Sequence, residues 1–193
     1  MSVKIETIPI NLNLGCGQYP KDGYLNIDSD PRSKADKFLD LNKFPYQLPS
    51  NHFELVEADH LLEHLNEPIE FMREVHRILK QDGCLHIRVP HCSRGFAHWQ
   101  HKTGFDVTYP LYFQKEFQGG YSGIDFSVKK VELHWFCQLA LKKKTLSSYQ
   151  YLIGITLGKV FNFFANLSPC ACFRIWCFWV GGFEEVEFIF LKR

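Results

Sequence analysis

The sequence has no run of eighteen or more uncharged apolar residues, so no segment reads as a simple membrane-spanning helix. It lacks a basic-then-apolar leader, and nothing at its start reads as a secretory signal. Charge of one sign is missing as well. The formal net charge is +1, which removes the global pull toward polyanions, and no nucleic-acid partner is expected. Paired cysteines are lacking: seven thiols is an odd number at irregular spacing, which reads as free cysteines in a reducing cytoplasm. Cys170 and Cys172 are too close together for a zinc knuckle and have no matching pair, so no structural metal is expected. No internal repeat or low-complexity segment is present. What is there is a chain of 193 residues, 46% apolar, with the size and composition of one globular domain over residues 1–193.

The most informative stretch lies near the start. Ile10-Asn11-Leu12-Asn13-Leu14 reads as a strand that runs into Gly15-Cys16-Gly17, and Tyr24-Leu25-Asn26-Ile27-Asp28 as a second strand closed by an acid. Glycines let the backbone turn sharply and let a ligand approach it. An acid at the next strand end is placed to accept hydrogen bonds from ribose hydroxyls, as at the carboxyl edge of a parallel sheet. A lone Gly-x-Gly is as often a plain turn, so the acid carries the reading. The dinucleotide fingerprint is excluded: Pro20 stands where its third glycine belongs, and Asp28 follows too closely. Pro20 also stops a full helix from starting there. The first crossover is therefore expected to be a loop or a single helical turn.

Further along, Ala35 to Asp40 reads as a short strand and Phe53 to Ala58 as a fourth, ending in Asp59-His60. Asn66 is a candidate cap for a helix with Pro68 in its first turn. Ile69, Met72, Val75 and Leu79 would form its buried face, and Asp82-Gly83 would end it. Cys84 to Val89 reads as the fifth strand, which completes a parallel strand–helix–strand unit. Pro90 to Phe117 is a long aromatic and histidine-bearing excursion. Phe126 to Phe136 and Phe183 to Phe190 alternate as strands.

Leu12-Asn13-Leu14-Gly15-Cys16-Gly17, the ending Asn26-Ile27-Asp28, and the run from Phe53 through Asp59-His60-Leu61-Leu62-Glu63-His64-Leu65 resemble a class I S-adenosylmethionine-dependent methyltransferase of the small type-11-like group. The resemblance is close over residues 10–90 and loose beyond. It implies an α/β fold, a Rossmann-like seven-stranded, mostly parallel sheet with shortened first crossovers, its last two strands antiparallel at one edge. It implies a cofactor-binding half over 10–90 and a substrate side over 91–193, with S-adenosylmethionine as cofactor. By the same resemblance Gly15, Cys16 and Gly17 meet the methionine end and Asp28 the ribose. Asp40 and Leu41 hold the adenine, and Asp59 and His60 stand beside the donor, Asp59 accepting from its ammonium. An acid at position 40 reads equally well as the cap of a turn. The implied reaction is methyl transfer to oxygen on a small molecule or glycan, the glycan because small chains of this kind often resemble proteins of surface-polysaccharide pathways.

Methyl transfer from a sulfonium needs donor and acceptor held in line, and a hydroxyl acceptor also needs a base. His64, His91 and His101 are the candidates, and His91, just after the fifth strand, is expected to face the crevice. Relatives often carry an Asp-Pro-Thr-His-like run here, which Trp99-Gln100-His101-Lys102 matches only in part. Two alternatives stand beside the enzyme. One is a methyltransferase-like module that binds without catalysis. The other is a zinc peptidase, because His60-Leu61-Leu62-Glu63-His64 spells the order of inverted zinc peptidases and on a helix would put both histidines on one face.

Charge is uneven along the chain. Residues 1–128 carry 13 basic against 17 acidic side chains, a net of −4; residues 129–193 carry 9 against 4, a net of +5. Tyr149 to Val180 reads as one or two apolar helices covering the last strands. With Lys142-Lys143-Lys144 before it, the segment also fits peripheral contact of a cytoplasmic protein with an anionic membrane. Oligomeric state is not legible.

Overall fold

The computed structural model describes residues 8–95 and 98–193. The expected lead-in over residues 1–9 therefore lies mostly outside the described residues. Seven strands form one sheet: β1 Asn11–Leu14, β2 Tyr24–Asp28, β3 Lys37–Phe38, β4 Phe53–Asp59, β5 Leu79–Pro90, β6 Phe126–His134 and β7 Glu185–Lys192. Their order is β3-β2-β1-β4-β5-β7-β6. The first five run parallel, and β7 is antiparallel to both β5 and β6. This is the expected α/β arrangement, with the last two strands paired at one edge. Leu12, Leu14, Ile27, Val56, Ala58, Leu85, Ile87 and Phe188 from its central strands are fully buried.

The shortened crossovers are real. The connection from β1 to β2 contains turns and no helix, and the links onward to β3 and β4 are also non-helical. A loop this short must satisfy its polar groups without a helix, and buried amides do it. Asn13 Nδ2 donates to Asn26 Oδ1 at 3.0 Å, and that oxygen also accepts from Lys21 N at 2.8 Å. Asn26 donates in turn to Lys21 O, Tyr24 O and Asp36 Oδ2.

The helix between β4 and β5, α1 (Pro68–Ile78), differs from expectation at both ends. Glu67, not Asn66, is its cap position, and no side chain caps it; Pro68 needs no partner for a missing N–H. Asn66 Oδ1 instead accepts from Lys102 Nζ at 2.6 Å. The helix ends at Ile78, and Leu79 already belongs to β5. Asp82-Gly83 lies inside β5, where its register with β4 is irregular between Leu79 and Cys84. Asp82 has a φ of 60°, and a Cβ on Gly83 would stand 2.9 Å from Lys80 O. The buried face is Phe71, Met72, Val75 and Ile78, with Glu74; Ile69 is only partly buried.

After β5 come the short helix α2 (Cys92–Gly95) and a 3-10 turn at Tyr109–Phe113. Between β6 and β7 lie α3 (Leu139–Thr145), α4 (Ser148–Leu167), α5 (Pro169–Ala171) and two further helical turns to Val180. Ser147 and Gln150 form a reciprocal capping box at the start of α4.

Candidate functional site

The glycine turn closes the carboxyl end of β1. Gly15 and Gly17 have φ of 71° and 51°, the left-handed region that disfavours other residues. A Cβ on Gly15 would press on Leu61 Cδ1 at 3.1 Å, whereas the space beside Gly17 is open. The turn's N–H groups are spent within the fold. Gly15 N and Cys16 N donate to Ile27 O at 2.8 and 3.1 Å, and Gly17 N donates to Asp28 Oδ2 at 2.8 Å. A phosphate cradle needs such donors free. The carbonyls of Cys16 and Gly17 are engaged as well, by Tyr19 N and Lys34 N at 2.8 Å each, so the ligand-binding groups beside the turn are the Asp28 and Asp59 carboxylates, an environment for a cation.

Asp28 faces the turn. Each carboxylate oxygen accepts one backbone bond, from Gly17 N and from Asp30 N, and each retains a further lone-pair direction. The Cys16 thiol is buried and pushed up from its ordinary value, by burial first and then by the charges of Asp28 and Asp36. Asp59, at the end of β4, receives Lys21 Nζ at 3.4 Å and Arg88 at 3.7 Å on Oδ2. Its other oxygen, Oδ1, is buried without a hydrogen bond. That orphaned acceptor suits an ammonium, and the residues present thus fit a positively charged nucleoside donor.

Asp40 and Leu41 lie beyond β3. Asp40 is exposed and accepts from Asn42 N at 3.0 Å, a bond that with the Lys43 ammonium holds its carboxyl below the usual range. It caps a turn, one of its two expected readings. Leu41 is 3% exposed, its side chain packed in the core, with its carbonyl accepting from the Tyr46 hydroxyl at 2.9 Å.

His60 stands in a left-handed conformation with φ of 52°. Its Nε2 meets Glu185 Oε2 at 2.9 Å and its Nδ1 meets Glu63 Oε1 at 3.4 Å. Burial alone would depress the imidazole, yet the two carboxylates outweigh it and hold the pKa up to about 10. His60 is therefore a fixed cation near neutral pH. Glu63 is 1% exposed, and neither of its carboxylate oxygens has a hydrogen bond. The H-x-x-E-H run is not helical beyond a 3-10 turn at Leu62–His64, and His60 turns away to Glu185. The shared helical face that the zinc-peptidase alternative requires is absent.

The three candidate bases separate. His91 does not face the crevice: it is fully buried, with Nδ1 2.8 Å from Ser93 Oγ and its ring edge-on to Phe173 and Phe183. Burial lowers it to about 4, so it is neutral but shut away from any acceptor. The chain turns inward immediately after β5, because His91 N bonds Glu184 O beside β7. His64 and His101 do come together, ring centroids 5.0 Å apart. His64 Nε2 lies 3.9 Å from Glu63 Oε1, and its Nδ1 lies 3.3 Å from Gln100 O. Donation from Nδ1–H to that carbonyl leaves Nε2 with its lone pair.

A cavity of about 510 Å³ opens next to this group, lined among others by His60, Arg94, His98, His101, Lys142 and Glu185. Arg94, His98, Lys142, Glu184 and Glu185 carry no motif that points to them in the sequence. The one signal is the acidic pair Glu184-Glu185 at the start of the alternating run that forms β7. Lys142 turns inward, ion-paired with Glu184 and over the Phe136 ring at 4.1 Å, so it is not part of a solvent-facing lysine rim.

This strand order, with a glycine turn after β1 and an acid closing β2, defines a class I methyltransferase fold. A family model described as a methyltransferase domain matches residues 28–87, and the likeness is to the type-11 group. A methyltransferase from Archaeoglobus fulgidus, described as S-adenosylmethionine-dependent, superposes with a TM-score of 0.59 at 16% identity, over 94% of this chain and 85% of that one. One from Mesorhizobium loti gives 0.56 at 15%, over 94% and 90%. The [4+2]-cyclase SpnF gives 0.53 at 15%, over 94% and 73%, so the fold alone does not fix the reaction. No curated protein matches the sequence. The chain is thus similar to S-adenosylmethionine-dependent methyltransferases in fold, and to the methyltransferase-domain family in sequence over residues 28–87.

Proposed function

We propose that this protein transfers a methyl group from S-adenosylmethionine to an oxygen of a hydroxylated small molecule or glycan. The observation that carries the reading is the glycine turn. Its N–H groups are internally bonded, its surroundings are acidic, and one buried Asp59 oxygen lacks a donor. That combination favours a ligand carrying an ammonium and a sulfonium over one carrying phosphates.

Bound there, the cofactor supplies an electrophilic methyl group. Asp28 clasps the ribose, Asp59 Oδ1 accepts from the ammonium, and Gly15, Cys16 and Gly17 line the methionine end through backbone. Asp40 meets the adenine edge, and Leu41 supports the adenine site from within the core. The acceptor enters the cavity beside β4 and β5, where the His60 imidazolium fixes the local charge. His101, which lines the cavity, takes the acceptor's hydroxyl proton, and His64 packs beside it, held toward the buried Glu63 carboxylate. Those same three residues bring metal-ligating atoms within 4.8 Å of one another. A divalent cation assisting the hydroxyl is therefore the second reading, and stoichiometric zinc or manganese in the purified protein would favour it.

Titration calorimetry with S-adenosylhomocysteine tests the donor site. Asp28→Ala is expected to weaken binding by about 1.5–3 kcal/mol, as for a hydrogen bond to a charged group. Absence of binding to the parent protein, or binding indifferent to Asp28, overturns the assignment. Binding without transfer to any hydroxylated acceptor would favour the non-catalytic module.

A further inference from the structure

The helix α4 is built inside out. Its protein-facing stripe consists of Gly154, Gly158, Asn162 and Asn166, spaced one turn apart, with Ala165. The glycines admit Phe136, whose ring would lie 2.6 Å from a Cβ on Gly154. The asparagines serve the strand that ends the sheet. Asn166 accepts from Leu133 N at 2.7 Å and donates to Leu133 O at 2.9 Å, and Asn162 accepts from Trp135 N at 2.8 Å. They saturate backbone groups that an edge strand would otherwise leave to water.

The apolar side chains consequently point outward. Leu152, Leu157, Val160, Phe163, Phe164 and Leu167 are all exposed. Beyond a bend of 105° the next helical turns expose Phe178 and Trp179, the latter 81% accessible. A surface helix of a protein that met only water would present the opposite faces.

Charge identifies the occupant. From Leu133 to Phe183 the sequence contains no Asp or Glu, while Lys143, Lys144, Lys159 and Arg174 are exposed. Glu132 of β6 borders the face beside Lys159 but is ion-paired with Lys130, so the charges left over are basic. An apolar face with a predominantly basic border and exposed Trp and Phe suits an anionic bilayer interface, where the rings reach the headgroup level. The helix lies on the membrane and does not cross it. Among the described residues no single helix is long and apolar enough to span, and Asn162 and Asn166 fasten α4 along the sheet.

We infer that α4 and the turns following it dock this protein on anionic lipid. The segment joins the cavity through α3, whose Lys142 lines that cavity. An acceptor carried on a lipid would thus be delivered at the site's mouth. That last point rests on the methyl-transfer reading; docking itself does not.

Co-sedimentation with vesicles, without cofactor or acceptor, tests docking separately from catalysis. The full chain is expected to pellet with phosphatidylglycerol-containing vesicles in low salt and far less with pure phosphatidylcholine. Lys143→Ala/Lys144→Ala/Lys159→Ala should lower the bound-to-free ratio on the order of a hundredfold, taking roughly 1 kcal/mol per lysine. Phe163→Ser/Phe164→Ser/Trp179→Ser should abolish pelleting while leaving the thermal midpoint unchanged, since those side chains are already exposed. No pelleting with anionic vesicles overturns the inference. So does pelleting that both variants retain, or a dimer in size-exclusion chromatography that the aromatic variant dissolves, since a second copy would then cover the face.

Discussion

The residues around β1 and β2 and those around β6 and α4 flank one sheet and both turn amides toward the protein, yet they leave different outer surfaces. In the first region amides are buried: Asn13 and Asn26 are 3% and 4% exposed and tie a helix-free crossover together. In the second, amides again face the protein, but on a helix whose remaining faces are apolar and exposed. Both follow from one rule, that backbone N–H and C=O groups must be satisfied. A short loop satisfies them with neighbouring side chains and leaves an outer surface open to a ligand. An edge strand satisfies them with amides from a helix, whose apolar residues are left with nothing to pack on in water.

The largest expected break in that comparison is at Asn26. Asn26→Ala leaves Lys21 N and the carbonyls of Lys21 and Tyr24 without this partner, and unfolding free energy in urea should fall by about 4 kcal/mol, at roughly 1 kcal/mol for each bond the amide oxygen accepts and each its two hydrogens donate. A loss under 1 kcal/mol would mean the crossover is held otherwise. pH acts next, and on both limbs. His60 is held up to about 10, so its contribution is fully present below an unfolded value of about 6.5 and declines as pH rises through about 10. His91 is lowered to about 4, so its contribution is lost as pH falls from about 6.5 toward 4. Thermal midpoints should therefore drop on both sides of neutrality, the alkaline decline flattening in His60→Ala and the acid decline in His91→Phe. The smallest effects lie on α4. Asn166→Ala should cost about 1–2 kcal/mol for two bonds to Leu133. Phe163→Ser, at a position 63% exposed, should change stability by less than about 0.5 kcal/mol.

Much of the sheet was legible because strands in this fold announce themselves. Leu12-Asn13-Leu14 before a glycine pair, and the alternation of 183–190, need only local pattern. Boundaries were less so. The end of α1 moved from Asp82 to Ile78 because Leu79 pairs with Phe53 of β4, a contact no local signal encodes. Of the candidate site, the glycine turn and Asp28 come together as the spacing suggests. The histidines do not sort by sequence. His91 and His101 are ten positions apart, yet one is sealed by Phe173 and Phe183 and the other opens on the cavity. Glu185 could not be linked to His60 across 125 residues without the pairing of β5 with β7.

The sequence alone determined the chain's α/β class, the loop character of its first crossover and the meeting of Asp28 with the glycine turn. Each depends on residues near one another along the chain, through backbone geometry and the reach of a side chain. Which imidazole is charged, buried or open was decided only when distant segments met, because charge and burial are properties of what surrounds a group. The same holds for α4. Its composition is apolar on any reading, but that it turns its amides inward follows from the unpaired edge of β6, which exists only in the folded sheet.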